Sequence, residues 1–199
     1  MYDDTFLPYE LYETDPAEVV EQVSKYGVAV LVEQVNGNDR RPLFREARNL
    51  THEHGDRVVL RQDDDGAEGV TLKWAFGQPW MRTVAEAFFG TEPFVFNPEI
   101  TLITAEPGNP NPVPQVEEGP GLTFLLYVTG VDAGNGVLRA ILGSHSVGKR
   151  LPSAEPTDRL VKLNGEMGTI VVIDNDVTLR NAIVREYPRI TAAARCYRG

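Results

Sequence analysis

The sequence predicts an α+β fold that is mainly β: a jelly-roll barrel with N-terminal helices packed on it. Two observations carry this. Three amphipathic segments between residues 15 and 89 have helical spacing, and seven apolar segments from residue 92 onward are parted by Gly, Pro, Asn and Asp. Short strands at such spacing are what a jelly roll is built from. Helices first and strands afterwards describe one α+β domain rather than two. Residues 1–199 therefore read as one domain, helical and mixed over 1–91 and barrel-forming over 92–199. A chain of 199 residues, 42% hydrophobic, is long enough to bury one proper core.

The first helix opens at Asp15-Pro16, an N-cap followed by proline at the first helical position, with Glu18 in the first turn. Val19, Val20, Val23 and Tyr26 follow at helical spacing, and Gly27 ends the run. The stretch 27–32, GVAVLV, reads as a buried strand. Residues 42–54 read as a second helix with Phe44, Ala47 and Leu50 on one side. Short strands are expected at 58–61 and 70–74, around the polar loop QDDDGAEG. The third helix, 79–89, carries the stripe Met81, Val84, Ala85, Phe88 and Phe89.

The barrel strands are expected at 94–103, 122–128, 137–142, 159–163, 169–173, 177–182 and 189–197. Pro98 makes the first of these an edge strand or a bulged one. The stretch 106–120, EPGNPNPVPQVEEGP, holds five prolines, each without a ladder donor, and reads as a long loop at the barrel mouth. Along 122–128, alternation puts Leu122, Phe124, Leu126 and Val128 on one face and Thr123, Leu125 and Tyr127 on the other.

A net charge of −10 and a pI of about 4.8 argue against nucleic acid and anionic membrane surfaces as partners. Cys196 is the one cysteine, so no internal disulfide forms, which suits a reducing compartment. The opening MYDDTFLPYELYETD lacks a basic region followed by an apolar run. No apolar stretch approaches the ~20 residues that span a bilayer. A cytoplasmic location is the expectation.

Residues 134–145 read GNGVLRAILGSH, with Asn135-Gly136 a turn signal. This segment resembles N-G-P-L-R-V-I-P-G-S-H of the phytanoyl-CoA dioxygenase-like branch of the Fe(II)/2-oxoglutarate oxygenases. Residues 168–174, GTIVVID, resemble that family's G-D-V-L-L-F-D strand except at the second position, and the helix followed by YGVAVLV resembles its opening. The resemblance implies a double-stranded β-helix, the cupin-like jelly roll. It also implies iron held by an H-x-D motif and a distal histidine, with an arginine on the last strand pairing with 2-oxoglutarate.

Carried onto this chain, the distal histidine position falls on Leu179, or on Thr178 or Arg180 if the turn differs by one. The first motif falls on Gln115-Val116-Glu117, with Glu118 as the carboxylate if the register slips. One carboxylate and neither histidine remain. The arginines match better: Arg189 falls at the 2-oxoglutarate arginine, and Arg139 matches the arginine of the G-P-L-R-V segment, so the pair reads as an anion site. His145 matches the G-S-H histidine, which in the family is not a ligand and here is expected to hold a loop. His52 and His54 end a helix, where a cationic ring complements the dipole, and they point in different directions.

No nucleophile elbow, phosphate loop, dinucleotide fingerprint or C-x-x-C is present. The acid–base candidates at the barrel mouth are Glu117, Glu118, Asp174, Asp176 and Tyr127. A carboxyl among Phe124, Tyr127 and Trp74 would have a raised pKa and could move a proton. Gln115, Phe124, Trp74, Leu179, Arg139 and Arg189 complete the expected ligand-binding set. The expected function is a metal-independent member of this fold that needs no cofactor. It acts on a small organic metabolite by cyclisation, isomerisation or elimination. The alternatives are an atypical Fe(II)/2-oxoglutarate oxygenase and a non-catalytic subunit pairing with an active homologue; a homodimer or such a heterodimer is the expected assembly.

Overall fold

A computed structural model describes residues 14–108, 120–147, 160–180 and 183–199, with the backbone alone at 10, 11 and 147. The expected loop 106–120 lies largely outside the described residues, and Gln115, Glu117 and Glu118 lie outside them altogether.

Helix α1 (Pro16–Tyr26) begins where Ala17 N–H donates to the Asp15 carboxylate at 3.0 Å. It ends at Gly27, whose φ of 83° lets its N–H return to Val23 O. Strand β2 (Val28–Leu31) follows, buried throughout, and β1 (Glu10–Leu11) runs parallel to it. Helix α2 (Gly37–His54) starts five residues earlier than the proline suggested. Pro42, sixth in line, lies past the four N–H groups that lack an intrahelical partner, so its missing donor removes one bond of the ladder near the start of the helix.

Strand β3 (Arg57–Arg61) forms as expected, but residues 70–74 do not form a strand. They lie in helix α3 (Val70–Phe76). Both Glu46 carboxylate oxygens accept from its first free N–H groups, Thr71 and Leu72, each at 2.9 Å. Leu72, Ala75 and Phe76 then bury at helical spacing. A carboxylate delivered from α2 to the helix N-terminus outweighs the strand preference of Val70 and Thr71. Helix α4 (Pro79–Phe89) buries Met81, Val84, Ala85 and Phe89, as its pattern predicts.

The strand expected at 94–103 is broken at Asn97-Pro98 into β4 (Phe94–Phe96) and β5 (Glu99–Ala105). The remaining strands are β6 (Gly121–Tyr127), β7 (Arg139–Ile141), β8 (Leu160–Lys162), β9 (Ile170–Asp174), β10 (Leu179–Arg180) and β11 (Arg189–Arg198). A 3-10 turn, Ser144–Val147, follows β7. The large sheet runs β1-β2-β9-β6-β11-β5-β3, with β4 also on β11; the small sheet runs β10-β7-β8. Apart from β1 with β2, every pairing is antiparallel.

The large sheet packs apolar residues on both faces. Leu122, Phe124, Leu126, Ile170, Val172, Ala192 and Ala194 pack with the helices. Leu125, Tyr127, Val171, Ile173, Val28 and Val30 pack with Val137, Leu138 and Ala140 beneath the small sheet. The fold is a cupin-like jelly roll backed by helices. No described helix is long and apolar enough to cross a membrane.

Candidate functional site

The inner face of the large sheet divides into an apolar and a polar half. The apolar half is Val28, Val30, Val171, Ile173 and Leu125, covered by Ala140, Val161 and Leu179 of the small sheet. The polar half is centred on β11. Ile190, Ala192, Ala194 and Cys196 turn to the helices, so Arg189, Thr191 and Arg195 turn inward. Register sets Thr191 opposite Tyr127 and Arg195 opposite Thr123 on one side, and Arg189 opposite Ala105 on the other. Thr101 is paired with inward-facing Ala193. Arg189 is 4% exposed and Arg195 6%. Two guanidinium groups and three threonines thus share one water-poor surface suited to a carboxylate and its neighbouring hydroxyls.

Burial lowers the Arg189 pKa from its usual range, with Tyr127 partly offsetting this, yet an arginine keeps its charge throughout the physiological range. Tyr127 is fully enclosed, and burial raises its phenol well above the ordinary value. Its hydroxyl donates to Leu163 O at 2.7 Å, tying β6 to the end of β8. That bond makes Tyr127 a wall and a brace of the barrel in this state.

Several expected residues stand elsewhere. Trp74 is 47% exposed on α3 and does not reach the barrel. Phe124 is inside the helix-side core, edge-on to Trp80 at 5.9 Å and stacked with Phe96 at 6.1 Å. The expected grouping of Phe124, Tyr127 and Trp74 is therefore not formed. Asp174 sits opposite Leu122, a helix-side residue, and lines a recess with Phe88, Phe89, Asp176 and Arg198 instead of the barrel mouth. Burial raises its pKa, against the pull of the Asp176 N–H bond and the nearby His145. Leu179 does face the barrel, on the apolar half.

Arg139 and Arg189 are not brought together. Ala140, Leu179 and Val161 are in register and face inward, so Arg139, with Arg180 and Lys162 in its own row, is on the outer face of the small sheet. Arg195, Thr101, Thr123 and Thr191 are the inner-face residues that sequence reasoning passed over. The signal for Arg195 was present: counting by twos along β11 from Arg189 reaches it.

The chain has three histidines, all among the described residues, and none joins the inner face. His145 Nε2 lies 2.9 Å from Ser24 O, fastening the 3-10 turn to α1. His52 and His54 are exposed at the end of α2, with His54 3.7 Å from Glu68. Among the described residues no three His, Cys, Asp or Glu side chains approach as metal ligands do. Cys196 faces the helices, its thiol pushed up to about 12 by burial. Among the described residues, no two histidines and a carboxylate converge on the inner face in the set that iron takes in such enzymes.

A cavity of about 480 Å3 at the Tyr127 end is lined by Val32, Glu33, Asp132, Asn164, Glu166 and Thr169, among others. Its carboxylates have cationic or hydroxyl partners: Arg40 lies near Glu33 and Glu166, and Tyr187 donates to Asp132. An anion would be repelled there, whereas the polar half of the barrel is compatible with a carboxylate.

No protein-family model and no curated protein matches the sequence. Solved structures do match. AviO1 from Streptomyces viridochromogenes Tue57 is 18% identical, with a TM-score of 0.66 over 94% of this chain and 96% of that one. The epimerase SnoN, solved with Fe3+, α-ketoglutarate and nogalamycin RO, is 13% identical, with a TM-score of 0.69 over 92% and 83%. The non-haem α-ketoglutarate-dependent carbocyclase SnoK from nogalamycin biosynthesis is 15% identical, with a TM-score of 0.61 over 90% and 82%. At such identities the likeness is one of fold. The chain has the fold of the iron/2-oxoglutarate oxygenase-like enzymes, as GNGVLRAILGSH implied.

Proposed function

We propose that the chain is a metal-independent catalyst that holds a small carboxylated metabolite in the polar half of its barrel and carries out a non-oxidative step. The observation carrying this reading is that Arg189 is buried on the inner face while all three histidines stand off it. Arg189 anchors the carboxylate, Thr101, Thr123 and Thr191 orient hydroxyls, and Leu179 with Leu125 supplies an apolar wall. Glu117 or Glu118, the carboxylate that the first family motif keeps in sequence, is the proton-transfer group we assign. An isomerisation or a redox-neutral cyclisation rearranges bonds within one molecule, and an elimination releases a proton and a leaving group, so none of them needs an external oxidant. The epimerase SnoN and the carbocyclase SnoK rearrange substrates on this fold, although both depend on α-ketoglutarate.

The test is binding and turnover with 2-oxoglutarate as the carboxylate probe, with and without Fe(II). We expect no succinate above background with iron and oxygen present. We also expect carboxylate binding by calorimetry that weakens about tenfold or more in Arg189→Gln. Stoichiometric iron with succinate release would restore the oxygenase reading. Absence of any carboxylate binding, with co-elution beside an active homologue, would favour the partner-subunit reading.

A further inference from the structure

Helix α2 carries an arrangement that neither the barrel nor the stability of the helix explains. Arg41, Arg45 and Arg48, with Phe44 between them, follow the i, i+3, i+4, i+7 spacing of one helix face. They line a groove of about 390 Å3 whose other residues are Asn49 and Met167. Like charges at these spacings repel. The helix keeps them nonetheless.

The neighbouring acids do not neutralise them. Glu46 is committed to the α3 N-terminus, and Glu33 and Glu166 face Arg40. In a chain of net charge −10, three arginines on one groove with no ion pair among the described residues are a local inversion of sign. Phe44 is half-buried against the helix-side core. Met167 is fixed by its neighbour Gly168, which bonds to Tyr127 O and Val35 N at 2.8 and 3.1 Å. An apolar floor beneath planar guanidinium forks takes an anion that carries an organic group.

We propose that this groove is a second binding site, for a small phosphorylated molecule whose phosphate is gripped by Arg41, Arg45 and Arg48 while its organic part lies on Phe44 and Met167. Arginine forks match phosphate oxygens two at a time. Residues 41 and 48 lie about 10 Å apart along the axis, so the three reach a common anion through their long side chains. The concavity is within the size range of small-molecule pockets, whereas a protein partner needs a contact of about 800 Å2 per side.

The test is calorimetry at about 50 mM salt, where exposed charges are only partly screened, with inorganic pyrophosphate and phenyl phosphate as probes. We expect both to bind, and Arg45→Gln to weaken each about tenfold. Phenyl phosphate should bind more tightly than inorganic phosphate. The exposed arginine control on α4, Arg82→Gln, and the barrel variant Arg189→Gln should leave these affinities unchanged, which separates this site from the barrel reading. Arg45 is exposed, so its variant folds, and a circular dichroism spectrum verifies this. Absence of binding by either probe would overturn the proposal. So would equal losses from Arg82→Gln, or binding of an acidic peptide in place of the phosphates.

Discussion

Asp174 is 8% exposed beside two phenylalanine rings, and its carboxyl is harder to ionise than an ordinary aspartate. The folded state therefore holds this proton to higher pH than the unfolded chain does. Between the ordinary value of 3.8 and the raised one, stability falls as pH rises, and the cost persists at neutral pH. Asp174→Asn keeps an oxygen for the Asp176 N–H and removes the charge. Its Tm should exceed that of the parent at pH 7, by about 2–4 °C for each kcal/mol relieved, and converge with it below pH 3.8. Thermal melts across that range decide the point. Tyr127→Phe leaves the Leu163 carbonyl buried without its donor, and urea denaturation should register a loss of about 1–3 kcal/mol.

At the scale of elements, one joint packs the end of α1 against the barrel and a second ties α2 to α3. A Cβ at Gly27 would stand 2.6 Å from Val177 Cγ2 and 2.8 Å from His145 Nδ1, in a backbone conformation that already disfavours side chains. Gly27→Ala should cost roughly 2 kcal/mol or more by urea denaturation. Glu46 joins α2 to α3, and Glu46→Ala should lower stability by about 1–2 kcal/mol, with increased amide exchange confined to α3. This second joint also explains the one element misread from sequence. The composition of 70–74 favours a strand, and the capping carboxylate comes from 24 residues or more upstream, beyond the reach of local pattern. Helices α1 and α4, whose caps and stripes are local, were legible.

Across the whole molecule, the barrel was legible because turn residues and a recognisable segment marked its strands. The site was legible only in part. Alternation sorts β6 and β11 into two faces, but the phase that says which face is the interior comes from packing. Phe124 and Asp174 were assigned to the wrong side for that reason, and Arg139 because the small sheet's phase depends on which of its residues meets Leu179. On the metal-independent function we propose, mass action gives metal no hold on the folded state. Fe(II) or Ni(II) added at tenfold excess over protein should leave the Tm within about 1 °C of its value in chelator.

Strand β11 is bonded along both edges, to β6 on one side and to β5 and β4 on the other. Every partner precedes it by roughly sixty positions or more, so its docking closes several long loops of the sheet at once. Until that happens β5 and β6 each present an open edge, and the inner face lacks both of its arginines. In refolding, helical signal should therefore return before carboxylate binding does. Crowded or warm conditions would catch the chain at the intermediate stage, with two unpaired strands available to neighbouring copies.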